Sequence, residues 1–429
     1  MIPADITNEN RYLGELVPKI CRYAGLGGLA LLVASVVMGG AGEAGWERLL
    51  RSYLVAFFFV LSLSLGGLFF VLLQHLTRAG WSVVVRRIAE GLADNLKWLW
   101  IPFIPILVAV WTGHLYDWAD PSRLSDAERA LFQHKEPFLT PWFWTIRAAV
   151  YFGVWAWLAR FFVNRSVQQD ATGDPQATAR MQSVAAPGMI LYALTQSFAA
   201  VDWIMTLEFA WYSTMFGVYF FAASTCGAFA AMIIIFYLLQ RSGRLTNVIT
   251  TEHYHDLGKL LFAFGVVFWA YIAYSQYMLI WYANIQEETI WFVIRQLGGW
   301  KTMSIFLILG HFAGPFLILI SRYPKRWKGV LAIGAAWMLG VHFIDLYWLV
   351  MPAIPAELIQ SVTTYSQLVT EFEAAYLPEY DLHWRVLDVT CLLGVLGVFV
   401  AMAAWSMRNR SLVPERDPRL SESLAFENY

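Results

Sequence analysis

Stretches of about twenty apolar residues recur along this chain from end to end, and few folds can absorb them. Only a helix or a closed barrel satisfies its own backbone in hydrocarbon, and a spanning helix needs about 20 mostly apolar residues. Ten segments qualify: Ile20–Met38, Ser52–Gln74, Trp98–Trp118, Trp142–Val163, Pro187–Glu208, Ser213–Leu239, Gly258–Ala283, Lys301–Arg322, Lys328–Met351 and Leu387–Trp405. Charged residues make up 14% of the 429, against about 25% in soluble domains. The 21 Trp, 20 Tyr and 30 Phe suit a chain that meets both membrane interfaces. The expected class is an all-α integral membrane protein with about ten transmembrane helices. Met1 to Lys19 is polar rather than signal-like, so the first apolar run is expected to remain as a span. Pro102 and Pro105 predict a kinked start to the third span.

Orientation follows from the basic residues in the connections. With the N-terminus inside, inner segments hold 21 Lys and Arg and outer segments hold 8. Both termini, including the tail over 406–429, are therefore expected in the cytoplasm. The longest outer connections, Asp117–Glu136 and Glu357–Asp381, are acidic and would offer docking surfaces to a partner outside the membrane. Spans two to five (52–208) and six to nine (213–351) share one alternation of direction. This predicts two four-helix bundles in parallel repeat, flanked by the first and last helices, in one transmembrane domain. Asp202 in the fifth span and Asp345 in the ninth each stand six residues before the outer end. A net charge of −1 excludes a nucleic-acid partner.

An ionisable residue within the bilayer costs roughly 2.5–3.5 kcal/mol on insertion scales, so it usually faces the bundle interior and has a partner. At about 1.5 Å per residue, Asp202 and Asp345 lie roughly 9 Å below the outer boundary and Arg147 roughly 8 Å. Gln276 and His114 fall near that level. His342 lies one turn deeper than Asp345 on the same helix face, and His311 sits near mid-membrane. These seven residues are the candidates for a proton path or a quinone pocket in the outer half. Carboxylate and imidazole exchange protons, while Arg or Gln fixes the orientation of a head group. The bland reading is that Arg147 pairs with Asp202 or Asp345 to hold helices together, with the histidines bonded to backbone carbonyls.

Other features are weaker. His253, His255 and Asp256, after Glu252, read as helix-start capping before they read as a metal site. Tyr271, Tyr274, Tyr277, Met278 and Trp281 form a stripe on the seventh span, and packing is the commoner role of such stripes. Glu287 and Glu288 read as a solvated edge, and Asp388 as a residue near a channel mouth. Cys21, Cys226 and Cys391 are far apart and read as core. No span carries two histidines about 13–14 residues apart, as bis-haem helices do, although His311 and His342 could bridge one haem. No haem, iron–sulfur cluster or metal is expected on this chain, and it is not expected to be active alone.

Several stretches resemble a known family. His255–Phe264 runs into Phe268–Tyr277, then Ile280–Ile285 and Glu287-Glu288-Thr289. The tail reads Asp417-Pro418-Arg419-Leu420, Glu422-Ser423-Leu424 and Phe426-Glu427-Asn428. Together these resemble the ActF subunits of bacterial alternative complex III, a quinol:cytochrome c oxidoreductase, within the NrfD/PsrC-like membrane subunits. The resemblance implies ten helices in two four-helix bundles with flanking helices, in a bacterial inner membrane. It implies a homologous ActC-like membrane subunit, a periplasmic iron–sulfur protein, c-type cytochrome subunits, other small membrane subunits and a terminal oxidase as partners. It implies quinone or quinol as the ligand of the complex and a proton path in this subunit, but it carries over no quinone site residue by residue.

Three readings follow. The chain is a non-haem membrane subunit of a respiratory quinol-oxidising complex, contributing a proton path or quinone pocket. Alternatively it is only a scaffold of that complex. A proton-coupled secondary transporter is the third reading. Against it, the halves are parallel rather than inverted, and no pair of spans is visibly broken at matching midplane positions.

Overall fold

The computed structural model describes residues 6, 9–41, 45–124, 126–353, 367–370, 372 and 381–428. Most of the second acidic connection, Glu357–Asp381, therefore lies outside the described residues. The helices are α1 Leu16–Gly40, α2 Gly45–Leu76, α3 Val83–Lys97, α4 Trp100–Trp111, α5 Asp126–Lys135, α6 Pro141–Thr172, α7 Pro175–Glu208, α8 Phe216–Arg241, α9 Thr251–Ala283, α10 Gln286–Ile294, α11 Gly298–Leu319, α12 Lys328–Val350, α13 Val386–Ser406 and α14 Leu420–Leu424. Among the described residues there is no strand. Nine of these helices are long and apolar enough to cross a membrane, and the bent pair α3–α4 would make a tenth.

That third crossing departs from expectation. Trp98–Trp118 was the expected span, but the helix covers only Trp100–Trp111. Twelve residues reach about 18 Å, short of a hydrocarbon core of about 30 Å. The chain leaves the helix at Gly113, whose φ of +67° suits a residue without a Cβ. The missing length comes from α3, set at 42° to α4. By sequence, Arg86, Arg87 and Lys97 belong to an inner loop. In the fold they sit on a helix, and Arg86 and Arg87 are buried.

Helix α2 is the axis of the molecule. Its run from Leu54 to Leu72 is buried on every face, so it needs no lipid-facing side. It packs against α8, α3, α13, α7 and α12, while α8 in turn packs against α12, α9 and α7. Outermost, α1 lies against α13. Gly66 sets the closest approach on the axis: a Cβ there would stand 2.3 Å from the Ser224 carbonyl oxygen of α8. Small residues let helix backbones approach this closely in membranes. Substituting Gly66→Leu is expected to prevent assembly of α2 with α8. The check is a loss of monodisperse protein in size-exclusion chromatography after detergent extraction, with Gly153→Leu, which faces open space, as the tolerated control.

Both chain ends meet at one end of the bundle. Leu412 N–H donates to the Arg11 carbonyl at 2.7 Å, and Arg11 pairs with Glu415 at 3.1 Å. The tail then runs under α3 and α9. Ser423 Oγ donates to the Trp81 carbonyl at 2.5 Å and accepts from Val84 N–H at 3.2 Å. Asn428 donates to Asp256 at 2.9 Å. The buried charges of α3 are all answered. Arg86 pairs with Glu90 at 3.1 Å and with Asp417 of the tail at 2.7 Å. Arg87 pairs with Asp170 at 2.5 Å and Glu90 at 3.5 Å. Asp94 takes Lys97 at 2.7 Å, Arg410 at 2.8 Å and the Ser406 hydroxyl. Four cations thus face four carboxylates, which is what allows a loop-like sequence to be buried.

Removing one partner of a buried pair costs about 3–5 kcal/mol, because the other charge stays buried. Asp417→Ala is accordingly expected to lower the melting temperature of the solubilised protein and to release the tail. Faster trypsin cleavage after Arg416 and Arg419 reads out that release; an unchanged digestion rate would show that Asp417 does not hold the tail.

Candidate functional site

The two intramembrane aspartates stand at the end of the bundle opposite the termini, in separate clusters. Asp202 is the penultimate residue of the α-helical part of α7, which tightens into a 3-10 turn from Met205 to Glu208. Its carboxylate takes a fork from Arg147 on α6, Nε to Oδ2 at 2.7 Å and Nη2 to Oδ1 at 3.0 Å. Tyr151, one turn along α6, donates to Oδ2 at 2.7 Å. Even the Asp202 carbonyl is used, accepting from Trp144 Nε1 at 2.9 Å and Thr206 Oγ1 at 2.6 Å. Arg147 is further held over the Phe138 and Phe143 rings, 3.7 and 4.5 Å from their centroids. This bidentate, aromatic-walled pair leaves little capacity for a ligand or a mobile proton.

Asp345 on α12 has no such fork. Tyr219 on α8 donates to Oδ1 at 2.5 Å and Trp269 on α9 donates to Oδ2 at 3.1 Å. Among the described residues no cation lies within ion-pair distance of it. A carboxylate offers about four acceptor positions, and two are filled here. One turn earlier, His342 Nε2 lies 2.7 Å from Ser62 Oγ on α2. The Ser62 hydroxyl donates to the Phe59 carbonyl at 2.7 Å. Ser62 Oγ thus bridges the Phe59 carbonyl and the His342 ring. His342 Nδ1 is buried and, among the described residues, without a hydrogen-bond partner. His311 on α11 lies flat on Trp269, ring centroids 3.7 Å apart, and neither of its ring nitrogens makes a well-formed hydrogen bond. Carboxylate, phenol, indole and two imidazoles thus adjoin one another.

Beside this cluster a cavity of about 780 Å³ opens between α9 and α11, within the range of pockets for small organic ligands. Its walls are apolar, from Ala270 and Ala273 to Ile305, Ile308, Phe312 and Phe316. Tyr219, Trp269, Gln276, Arg295, Gln296, Lys301 and Ser304 are among its polar groups. The gap coincides with wide π-helical turns at Leu261–Phe268 in α9 and Ile308–Ala313 in α11. In the second, Gly314 N–H reaches back five residues to the Leu309 carbonyl. The next donor in that pattern would be Pro315, which has none. The Gly310 carbonyl accepts instead from Trp337 Nε1 at 2.8 Å. Such π turns occur often at functional sites.

The candidates therefore divide. Asp202 and Arg147 form one pair; Asp345, His342 and His311 gather in the other cluster. Gln276 is buried, accepts from Ser213 Oγ at 3.0 Å and faces the cavity. His114 is exposed in the turn after α4 and joins neither group, because the helix ends before reaching it. The tyrosine stripe of α9 is cavity wall as well as packing: Tyr271, Tyr274 and Tyr277 line it, and Tyr271 and Tyr274 are exposed. Asp388 is a paired cap rather than a free mouth residue, held by Arg48 at 2.7 Å and Ser52 at 2.5 Å. His253 caps α9, accepting from Thr250 N–H at 3.1 Å. Depth counting missed Tyr219, Trp269, Ser62 and Arg295. The Gly310–Pro315 spacing was the one available sign of the opened helix.

No family model matches the chain, and no curated protein is significantly similar to it.

The geometry of Asp202 makes a distinguishing prediction. Arg147→Met leaves a buried, unpaired carboxylate and is expected to lower the melting temperature sharply. Adding Asp202→Asn removes that charge and should restore part of the loss, the double mutant being more stable than Arg147→Met alone. Additive losses on thermal melting would show that the pair does not couple.

Proposed function

We propose that this chain is a haem-free membrane subunit of a respiratory quinol-oxidising complex in the bacterial cytoplasmic membrane. In this reading α2–α7 and α8–α12 are two parallel four-helix repeats and both termini are cytoplasmic. The partners are an ActC-like membrane subunit, a periplasmic iron–sulfur protein and c-type cytochromes, with other small subunits and a terminal oxidase. The observation that carries the reading is the side-opening apolar cavity whose polar end abuts a buried carboxylate without a cation. An isoprenoid quinol has the matching form, a flat ring with two oxygens and a long apolar tail.

The chain's own part in the chemistry is to take protons. Tyr219 faces the cavity while its hydroxyl donates to Asp345. A quinol hydroxyl beside it can pass its proton to the Tyr219 oxygen as the Tyr219 proton moves to Asp345. One proton leaves the quinol and one arrives on the carboxylate, with Tyr219 unchanged. The electrons depart to the iron–sulfur and haem partners. His342, one turn away with an unpartnered ring nitrogen, is the next proton-exchanging group inward.

Asp345→Asn keeps the shape, with its oxygen on Trp269 Nε1–H and its amide N–H turned to the Tyr219 oxygen, but cannot take up the proton. In the purified complex it is expected to slow quinol oxidation by roughly a hundredfold, a typical proton-transfer contribution, at normal subunit stoichiometry. Full turnover in that mutant would remove the proposal. A scaffold role is favoured by the locked Arg147–Asp202 pair, and it predicts instead that Asp345→Asn loses assembled complex while the remainder turns over normally.

A further inference from the structure

Two cations line the cavity, Lys301 at the start of α11 and Arg295, and the buried one is Arg295. Arg295 lies in the short connection between α10 and α11, and its side chain is buried between Trp291 and Trp348. Its guanidinium carbon stands 3.4 and 5.0 Å from their ring centroids. Nε donates to the Trp348 carbonyl at 3.1 Å, Nη1 to Trp291 at 2.8 Å and Nη2 to Leu349 at 2.9 Å. The Trp348 and Leu349 carbonyls belong to the last turn of α12, so the guanidinium caps a helix C-terminus. That is its structural role, but it uses three of five N–H donors. Among the described residues no carboxylate forms an ion pair with Arg295. Its direct contacts are carbonyl dipoles and ring faces, with the Glu208 carboxylate acting on it only from beyond ion-pair distance, and Tyr219, Gln276 and Gln296 line the same cavity.

The geometry points to Arg295 as the head-group anchor of the cavity, its two spare N–H groups bonding an oxygen of a quinone-type ligand while Tyr219 and Asp345 serve the ligand's acidic hydroxyl. The inference rests on the quinol reading above and adds a residue and a ligand polarity to it. A guanidinium already fixed by three carbonyls loses little freedom on binding, which is the condition for a strong contact. It also explains why the cation sits on the cavity and not on Asp345. There it stabilises the anionic oxygen left as the first proton departs, without neutralising the carboxylate that must receive that proton. Gln276, bonded to Ser213 through Oε1, keeps its amide N–H groups for the same oxygen.

The test uses the solubilised protein with its native partners and 2-heptyl-4-hydroxyquinoline N-oxide, a quinol analogue whose fluorescence is quenched on binding. Wild type, Arg295→Gln, Arg295→Lys and Ala273→Trp are titrated, and extracted quinone and phospholipid are measured in each. Losing a charge-assisted bond should weaken binding roughly tenfold or more in Arg295→Gln. Arg295→Lys keeps the charge but not the fork, and should bind several-fold more weakly than wild type. Ala273→Trp fills the cavity away from Arg295 and should abolish binding. Wild-type affinity in either Arg295 variant, with Ala273→Trp inactive, would overturn the anchor and leave the quinone pocket standing. Binding unaffected by Ala273→Trp would overturn both. Phospholipid in place of quinone in the wild type, lost on Arg295→Gln, would make the anchor a lipid contact and overturn both as well. If Arg295→Gln does not assemble, the Lys variant decides.

Discussion

A carboxylate surrounded by hydrocarbon and apolar side chains must be answered by something, and the two aspartates of this protein are answered differently. Asp202 has a guanidinium fork, a phenol and a filled backbone carbonyl. Asp345 has a phenol and an indole, both neutral. The first arrangement stabilises the charged carboxylate by charge and geometry together. The second stabilises neither protonation state by a full charge, so the balance can move with whatever occupies the neighbouring space. One half of the bundle therefore carries a carboxylate locked to a guanidinium and the other a carboxylate held by neutral donors.

The same demand for compensation governs the opposite end, where it is met by numbers. Helix α3 carries two arginines and two acids into the interior, and the tail brings Asp417 and Arg410 to meet them. With Lys97 of α3 and Asp170 of α6, four charges of each sign are paired there. This joins the two ends of the chain to its most deeply buried helices. It also closes that end of the bundle with groups that are mutually paired.

The positions of the long spans were legible because twenty apolar residues in a row admit few alternatives. The third was misread because α3 is amphipathic and its charges, read singly, mimic a loop; their partners come from Asp170 of α6 and from the tail, some three hundred residues on. The candidate site was legible in part. Depth along a helix placed Asp202, Asp345 and Arg147 near one end, and i,i+3 spacing joined His342 to Asp345. Depth alone does not say which way a side chain faces around the helix. It therefore could not separate the two clusters or find Tyr219, which has no charge to mark it. His114 failed for a related reason, since a helix of assumed length carried it into a layer that the real helix stops short of.

The cavity was hidden for a further physical reason: it is made by helix geometry rather than by residue type. A π turn adds one residue per turn and swings the following side chains around the axis. Pro315 removes the donor that would close the turn over Gly310, and Trp337 supplies a replacement from α12. The opened turn presents His311 to the face of Trp269, and Trp269 presents its N–H to Asp345. A missing backbone donor is thus linked, through two aromatic contacts, to the environment of a buried acid. Closing that turn would alter the setting of Asp345 without touching it. The cavity and the unpaired carboxylate are consequently features of one local departure from helical regularity, and an account of either must include both.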